Sequence, residues 1–184
     1  NTGTATVTNS TLSGNTTDYR GGGISNYGTA TVTNSIVLGN TSFNTEFNEI
    51  SGTVANPSDL SIIGGVNAAD VFAATTDGAG VLADNGGPVQ TIALKNDASN
   101  PALDAGNDDA AKDAGAETDA SGSGRYDYAG VEPNGANISD LGALELVLEE
   151  ANSLIVTTEI DVVDAYDQET SLCEALAFAN SNPD

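Results

Sequence analysis

The residues best suited to chemistry lie in one acid-rich stretch, LDAGNDDAAKDAGAETDASGSGRYD, which begins at Leu103. Its carboxylate and amide oxygens lie on a Gly-rich, loop-like backbone, and such oxygens suit Ca²⁺, which takes about six to eight of them. The EF-hand spacing and the calcium-binding nonapeptide repeat are both missing, so the alternative is a solvated acidic loop in which Asp104 caps a turn. We predict calcium as a cofactor, with the candidate metal ligands Asp104, Asn107, Asp108, Asp109, Asp113 and Asp119.

Catalysis is the second interpretation of these acids. The adjacent Asp108 and Asp109 could imitate the paired carboxylates of a glycosidase, whose carboxyl groups lie about 5 to 9 Å apart beside a sugar-binding face. A lyase acting on acidic sugars would need cations to bind uronate, and the chain has four Lys and Arg and no His. Aromatic platforms for sugars are few, because there is no Trp and there are only five Tyr. We predict no catalytic residue and no enzyme activity.

The charge of the chain limits its partners. Four Lys and Arg stand against 27 Asp and Glu, for a net charge of −23, and such a surface repels nucleic acid and anionic membranes. Only four of the acids precede Asp70, so the composition changes near that residue. The sequence has no apolar run long enough for a membrane span. Its single cysteine, Cys173, permits no internal disulfide.

A sequence repeat precedes the acidic stretch and predicts the structural elements that would position it. GTATVTNSTLSGN from Gly3 and GTATVTNSIVLGN from Gly28 lie 25 residues apart, and apolar residues alternate with Thr as in a half-buried strand. A period of this length is typical of solenoids, and short strands separated by turns predict the rungs of a parallel β-helix. Equivalent residues would then stack, with Asn9 over Asn34 and Asn15 over Asn40.

Four motifs outside the duplicated line carry a family resemblance: NEISGT from Asn48, LADNGGPVQTIAL from Leu82, SNPALDAGND from Ser99 and DLGALEL from Asp140. In combination they resemble the patterns of bacterial surface proteins in which a β-helix is followed by a choice-of-anchor Q region. The resemblance covers about residues 14–145, and it implies an extracellular or cell-surface location in bacteria.

The tail from Leu154 resembles the start of another module, named for its CSLREA motif, and has TSLCEA at residues 170–175. Residues 154–158 are rich in β-branched side chains and predict a strand. Ser171 and Glu174 form a capping box, which predicts a helix that follows. The order of these modules implies a tandem array.

Together these patterns predict an all-β fold. Right-handed parallel β-helix (solenoid) rungs at residues 1–69 are followed by an irregular, acidic, β-rich, choice-of-anchor Q-like closing region at 70–150. Residues 151–184 form the start of a following CSLREA-like module, with a short C-terminal strand and a capping helix.

The predicted function is structural: a segment of a longer extracellular protein that forms a stiff stalk or filament by stacking of β-helix modules. Its partners would be copies of itself or adjacent modules, joined end to end. The alternative is an adhesin module that binds a surface glycan or a host surface. A polysaccharide-active β-helix enzyme is a less favoured alternative.

Overall fold

A computed structural model describes residues 1–56, 60–128, 137–147, 153–159, 163 and 170–181. The strands in these residues are short: β1 Thr4–Thr8, β2 Thr11–Leu12, β3 Thr16–Thr17, β4 Ile24–Ser25, β5 Thr29–Thr33, β6 Ser35–Val37, β7 Thr41–Ser42, β8 Ile50–Ser51, β9 Ser61–Ile63, β10 Thr75–Thr76, β11 Ala79–Gly80, β12 Leu82–Ala83 and β13 Thr91–Ile92. The helices are α1 Ala68–Val71, α2 Asp108–Asp113 and α3 Leu172–Ser181, and Thr45–Phe47 forms a 3₁₀ turn.

The two copies of the repeat pair with each other as parallel strands. β1 lies beside β5 with Thr4 opposite Thr29, an offset equal to the 25-residue period of the sequence. β2 pairs with β6 and β3 with β7 at the same offset. β4 pairs with β8, and β6 also pairs with β9, so part of a third, divergent copy adds to the stack.

Stacked asparagines and serines hold the copies in register. Asn9 and Asn34 both have left-handed backbone, with φ of 47° and 49°, which turns the chain between consecutive strands of each copy. The predicted stacking of Asn15 over Asn40 is confirmed, because the Asn15 Nδ2 donates to the Asn40 Oδ1 at 2.8 Å. The backbone N–H of Ser10 likewise donates to the Ser35 Oγ at 3.2 Å. Each copy therefore supplies the polar partners of the next.

The prediction of a right-handed parallel β-helix is wrong. The described strands form five two-stranded sheets and one three-stranded sheet, β2-β6-β9, and among them no sheet closes or winds into a solenoid. Two of the sheets, β10-β11 and β12-β13, are antiparallel. The physical reason is that the near-identical line occurs only twice, so parallel stacking has few copies to extend it. After β9 the 25-residue period ends, and the chain continues in local hairpins and short helices.

One hydrophobic core joins the repeats to the acidic region. It contains side chains from both sides of residue 69, and burying this apolar surface is the main driving force for holding the two segments together. The core residues are Ile36, Leu38, Ile62, Ala68, Val71, Phe72, Ile92, Leu94, Ala102, Leu103, Tyr128 and Leu141. The hydrophobic core therefore continues across the change of composition near Asp70.

Hydrogen bonds reinforce this joint. The backbone N–H of Gly142 donates to the Asn34 carbonyl at 2.8 Å, and that of Ala143 donates to the Thr11 Oγ1 at 3.0 Å. The Gly80 N–H donates to the Ser13 Oγ at 2.9 Å. Loops of the acidic region thus lie directly on the strands of the repeats.

In the C-terminal tail the structure has the predicted helix but not the predicted strand. Helix α3 has the predicted capping box, in which the Ser171 N–H donates to the Glu174 Oε2 at 2.8 Å and the Glu174 N–H donates to the Ser171 Oγ at 3.3 Å. The strand predicted at 154–158 is wrong: these residues have no strand pairing, and the side chains of Leu154 and Ile155 are exposed. β-branched side chains do not make a strand without a partner to pack against. No helix in the described parts of the chain has the length and apolarity needed to cross a bilayer.

Candidate functional site

The candidate metal ligands do not lie on one continuous loop. Helix α2 occupies residues 108–113, and its first residue follows Asn107, whose Oδ1 accepts from the Ala110 N–H at 2.7 Å. The prediction of loop-like backbone is therefore wrong here, because Asn107 is an N-cap and the acids of the first turn suit the positive end of the helix. Asp109 and Asp113 are exposed on this helix.

Asp108 binds the chain that follows residue 136. Its Oδ1 accepts from the Ser139 hydroxyl at 2.5 Å and from the Ser139 N–H at 3.0 Å. In return, the Asp108 N–H donates to the Asn137 Oδ1 at 3.0 Å. The carboxylate of Asp108 thus fixes helix α2 to the segment that leads into the DLGALEL motif.

Asp119 closes a Ser-rich turn and reaches the same motif. Its Oδ1 accepts from the backbone N–H groups of Ser121 and Ser123, at 2.8 and 3.0 Å. Its Oδ2 accepts from the Glu145 N–H at 3.0 Å. Both oxygens of this predicted ligand are therefore engaged by the backbone of the protein.

Asp104 is buried with one oxygen unpaired. It has a left-handed φ of 48°, and its Oδ1 accepts from the Tyr128 N–H at 3.1 Å. Its Oδ2 is a buried atom without a hydrogen-bond partner in the described structure. Burial raises the pKa of Asp104 to about 6, because the charged form loses hydration.

Asp140 and Glu145, at the two ends of the DLGALE motif, form the centre of the buried network. The Asp140 Oδ1 accepts from the Asp104 N–H at 2.9 Å, and its Oδ2 accepts from the Leu146 N–H at 2.7 Å. The Asp140 N–H donates to the Glu145 Oε1 at 2.7 Å. Burial raises the pKa of Asp140 to about 7.

Arg125 supplies the positive charge of this network. Its Nη1 lies 2.7 Å from the Glu145 Oε2, and both side chains are almost fully buried. Its Nε also donates to the Ala116 carbonyl at 3.0 Å. Burial and the neighbouring Asp140 carboxylate raise the pKa of Glu145, while the Arg125 guanidinium opposes them.

The three residues Arg125, Asp140 and Glu145 were not among the predicted site residues. The signal that could have found them is the pair of acids five residues apart in DLGALE, together with one of only four cations in the chain. The sequence alone does not show that Arg125 faces Glu145, because the two residues are 20 positions apart and their pairing depends on the three-dimensional fold.

In this arrangement the carboxylates accept hydrogen bonds from backbone N–H groups and so hold the backbone in place. The described residues contain no group of three or more His, Cys, Asp or Glu placed to hold a metal ion. Asp108 and Asp119 give their oxygens to N–H and O–H donors, which leaves the Asp104 Oδ2 as the unengaged oxygen among these three. Nothing in the geometry supports calcium, and calcium binding stays a prediction. Titration calorimetry with chelated protein tests it: no heat and no melting shift at millimolar Ca²⁺ would remove it.

Comparison with family models, with curated proteins and with solved structures gives no match for this chain. The resemblance to bacterial surface proteins therefore stays a prediction.

Proposed function

We propose that this chain is a structural segment of an extracellular or cell-surface protein. In this proposal the parallel repeats form a stiff element, and the acidic region locks them on one side. The observation that carries the proposal is Asn34, a fully buried side chain of the repeat that exchanges two hydrogen bonds with Asn107 of the acidic region. Hydrogen bonds from a fully buried side chain to the backbone of the other segment favour one fixed arrangement of the two segments.

The high negative charge supports the same role. A net charge of −23 on 184 residues keeps a surface hydrated and disfavours unspecific association. Most of this charge lies after residue 69, in the region that covers the repeats.

End-to-end joining is part of the proposal. In the described structure β1, β2 and β3 pair with strands of the second copy only, so their other edge has no strand beside it. Strand edges are templates for further strands, and a neighbouring module or a second copy of the chain would pair there.

Immunogold electron microscopy of intact source cells tests this function. Antibodies raised against the purified chain should label projections on the cell surface. Labelling confined to the cell interior would contradict the location, and globular monomers in micrographs of the native protein would contradict the stalk.

A further inference from the structure

A cleft with three exposed aromatic side chains is formed by residues from both copies of the repeat. It is open to solvent, has a volume of about 940 Å³ and is lined by Tyr19, Tyr27 and Phe43, together with polar residues that include Asp18, Arg20 and Asn44. The exposed fractions of the aromatic side chains are 82%, 77% and 85% in the order given. Three large aromatic side chains that avoid the core and share one cleft mark a binding surface.

The aromatic residues lie where the two copies of the repeat stop matching. Residues 1–16 and 26–41 agree at most positions, whereas TDYRGGG at residues 17–23 stands opposite SFNTEFN at 42–48. Stacking in register explains the matching positions. It gives no reason for Tyr19 and Phe43, which are neither repeated nor buried, and departures from a local rule cluster at functional sites.

The backbone N–H of each of these aromatic residues makes a hydrogen bond. The Tyr19 N–H donates to the Thr17 Oγ1 at 3.2 Å, and the Phe43 N–H donates to the Thr17 carbonyl at 3.1 Å. The Tyr27 N–H donates to the Asn1 carbonyl at 2.7 Å. The rings therefore stand on positioned backbone, which reduces the entropy lost on binding.

Glycine brings the segment that follows Tyr19 close to the next copy. A Cβ at Gly22 would lie 2.5 Å from the Thr41 carbonyl oxygen and 2.6 Å from that of Asn48. Only glycine permits this approach, so the loop that carries Tyr19 rests directly on the neighbouring strand.

We propose that this cleft binds a neutral carbohydrate. A sugar ring has apolar C–H faces that pack on aromatic rings and a rim of hydroxyls that bind amide, hydroxyl and charged side chains. The cleft offers both kinds of surface, in Tyr19, Tyr27 and Phe43 and in the polar residues between them. The charged residues that line the cleft are one acid, Asp18, and one cation, Arg20, so the cleft has no excess of positive charge to attract an acidic glycan or nucleic acid. The net charge of −23 on the whole chain adds repulsion at longer range.

The test is an array of neutral, sialylated and uronate-containing oligosaccharides probed with the labelled full chain. We expect binding to neutral oligosaccharides and none to acidic ones. For the strongest neutral binder, calorimetry should show that Tyr19→Ala, Tyr27→Ala and Phe43→Ala each lose about tenfold in affinity. Tyr19→Phe keeps the ring and should remain within about twofold.

Two controls separate this site from loss of folding and from unspecific adhesion. Val89→Ala removes an exposed apolar side chain outside the cleft and should leave binding unchanged. All variants should melt at the temperature of the parent chain, because the altered side chains are exposed. The proposal would be overturned if no neutral glycan binds, if a variant that combines the three alanine substitutions binds as well as the parent chain, or if only peptides bind at the cleft.

Discussion

Asn34 and Asn107 lie 73 residues apart in the sequence and exchange two hydrogen bonds. The Asn34 Nδ2 donates to the Asn107 carbonyl at 2.8 Å, and the Asn107 N–H donates to the Asn34 Oδ1 at 2.9 Å. Asn34 also stacks on Asn9 within the repeat, and Asn107 caps helix α2. One side chain of the repeat thus fixes the position of a helix in the acidic region.

Asn34→Ala should therefore destabilise the protein strongly. The substitution removes both side-chain hydrogen bonds to Asn107 and leaves the Asn107 N–H without its acceptor, while the Asn107 carbonyl keeps its hydrogen bond from the Ala111 N–H. We expect a cost of about 2 to 3 kcal/mol in the free energy of unfolding. Asn9→Ala is the matched control, because Asn9 has the same left-handed backbone at the same position of the first copy. Urea unfolding should show a loss of about 1 kcal/mol for the control, and equal losses for the two variants would contradict the role of the pair.

Arg125→Met tests the buried ion pair. The substitution leaves the Glu145 carboxylate buried without its cation, so we expect a loss of about 3 to 5 kcal/mol in the free energy of unfolding. Lys95→Met is the control, because Lys95 and Asp97 form an ion pair that is well exposed, at 3.3 Å. Removing an exposed pair should change stability little. A small effect of Arg125→Met would show that the network does not depend on its cation.

The stability of the protein should fall as the pH rises from about 4 to 7. The pKa values of Asp104 and Asp140 are raised by burial to about 6 and about 7, so the folded state holds protons that the unfolded state releases. The stabilisation is complete below the unfolded-state pKa near 4 and is lost as the pH passes the folded-state values.

Urea unfolding at pH 5 and pH 8 measures this dependence. Asp104→Asn should reduce the difference between the two pH values, since the residue can no longer ionise. Asp97→Asn is the control: hydrogen bonds from Ser99 lower the pKa of Asp97 to about 2, so it titrates below this window. An unchanged pH dependence in Asp104→Asn would contradict the assignment.

Gly142→Ala tests the close approach of the acidic region to the repeats. Gly142 has a φ of 98°, and a Cβ there would lie 2.6 Å from the Thr11 Oγ1 and 3.0 Å from the Ile36 Cδ1. Gly122→Ala is a matched control, because its φ is 92° and a Cβ there would meet no atom within 4 Å. Gly122→Ala measures backbone strain alone, and Gly142→Ala should cost about 1 to 3 kcal/mol more in the free energy of unfolding. Equal costs would show that the two segments do not touch at this point.

The repeat shows what the sequence could predict. The 25-residue period predicts that β1 lies beside β5 in register, because equivalent residues of a repeat occupy equivalent places in a stack. The capping box at Ser171 likewise predicts the start of helix α3, since both of its hydrogen bonds are local. Patterns that act over a few residues, or that recur at a fixed offset, can be found in one sequence.

Long-range pairing explains what could not be predicted. Two copies of a line do not show whether a full solenoid forms, and the observed sheets stay at two or three strands. Arg125 pairs with Glu145 over 20 positions, and Asp119 accepts from the Glu145 N–H over 26 positions, so both contacts depend on the three-dimensional fold. Residues 154–158 have strand-forming composition, but composition does not supply a partner strand.

Native-state hydrogen exchange of the full chain, followed by NMR along a urea series, tests most directly whether the repeats and the acidic region form one structural unit. The amides to compare are those of Asn34 and Ile36 in the repeat and those of Leu141 and Gly142 in the acidic region, all of which are hydrogen-bonded. Because one core joins both segments, we predict opening free energies that agree within about 1 kcal/mol. Exchange of Leu141 and Gly142 at a free energy several kcal/mol lower than that of Asn34 and Ile36 would contradict a single unit.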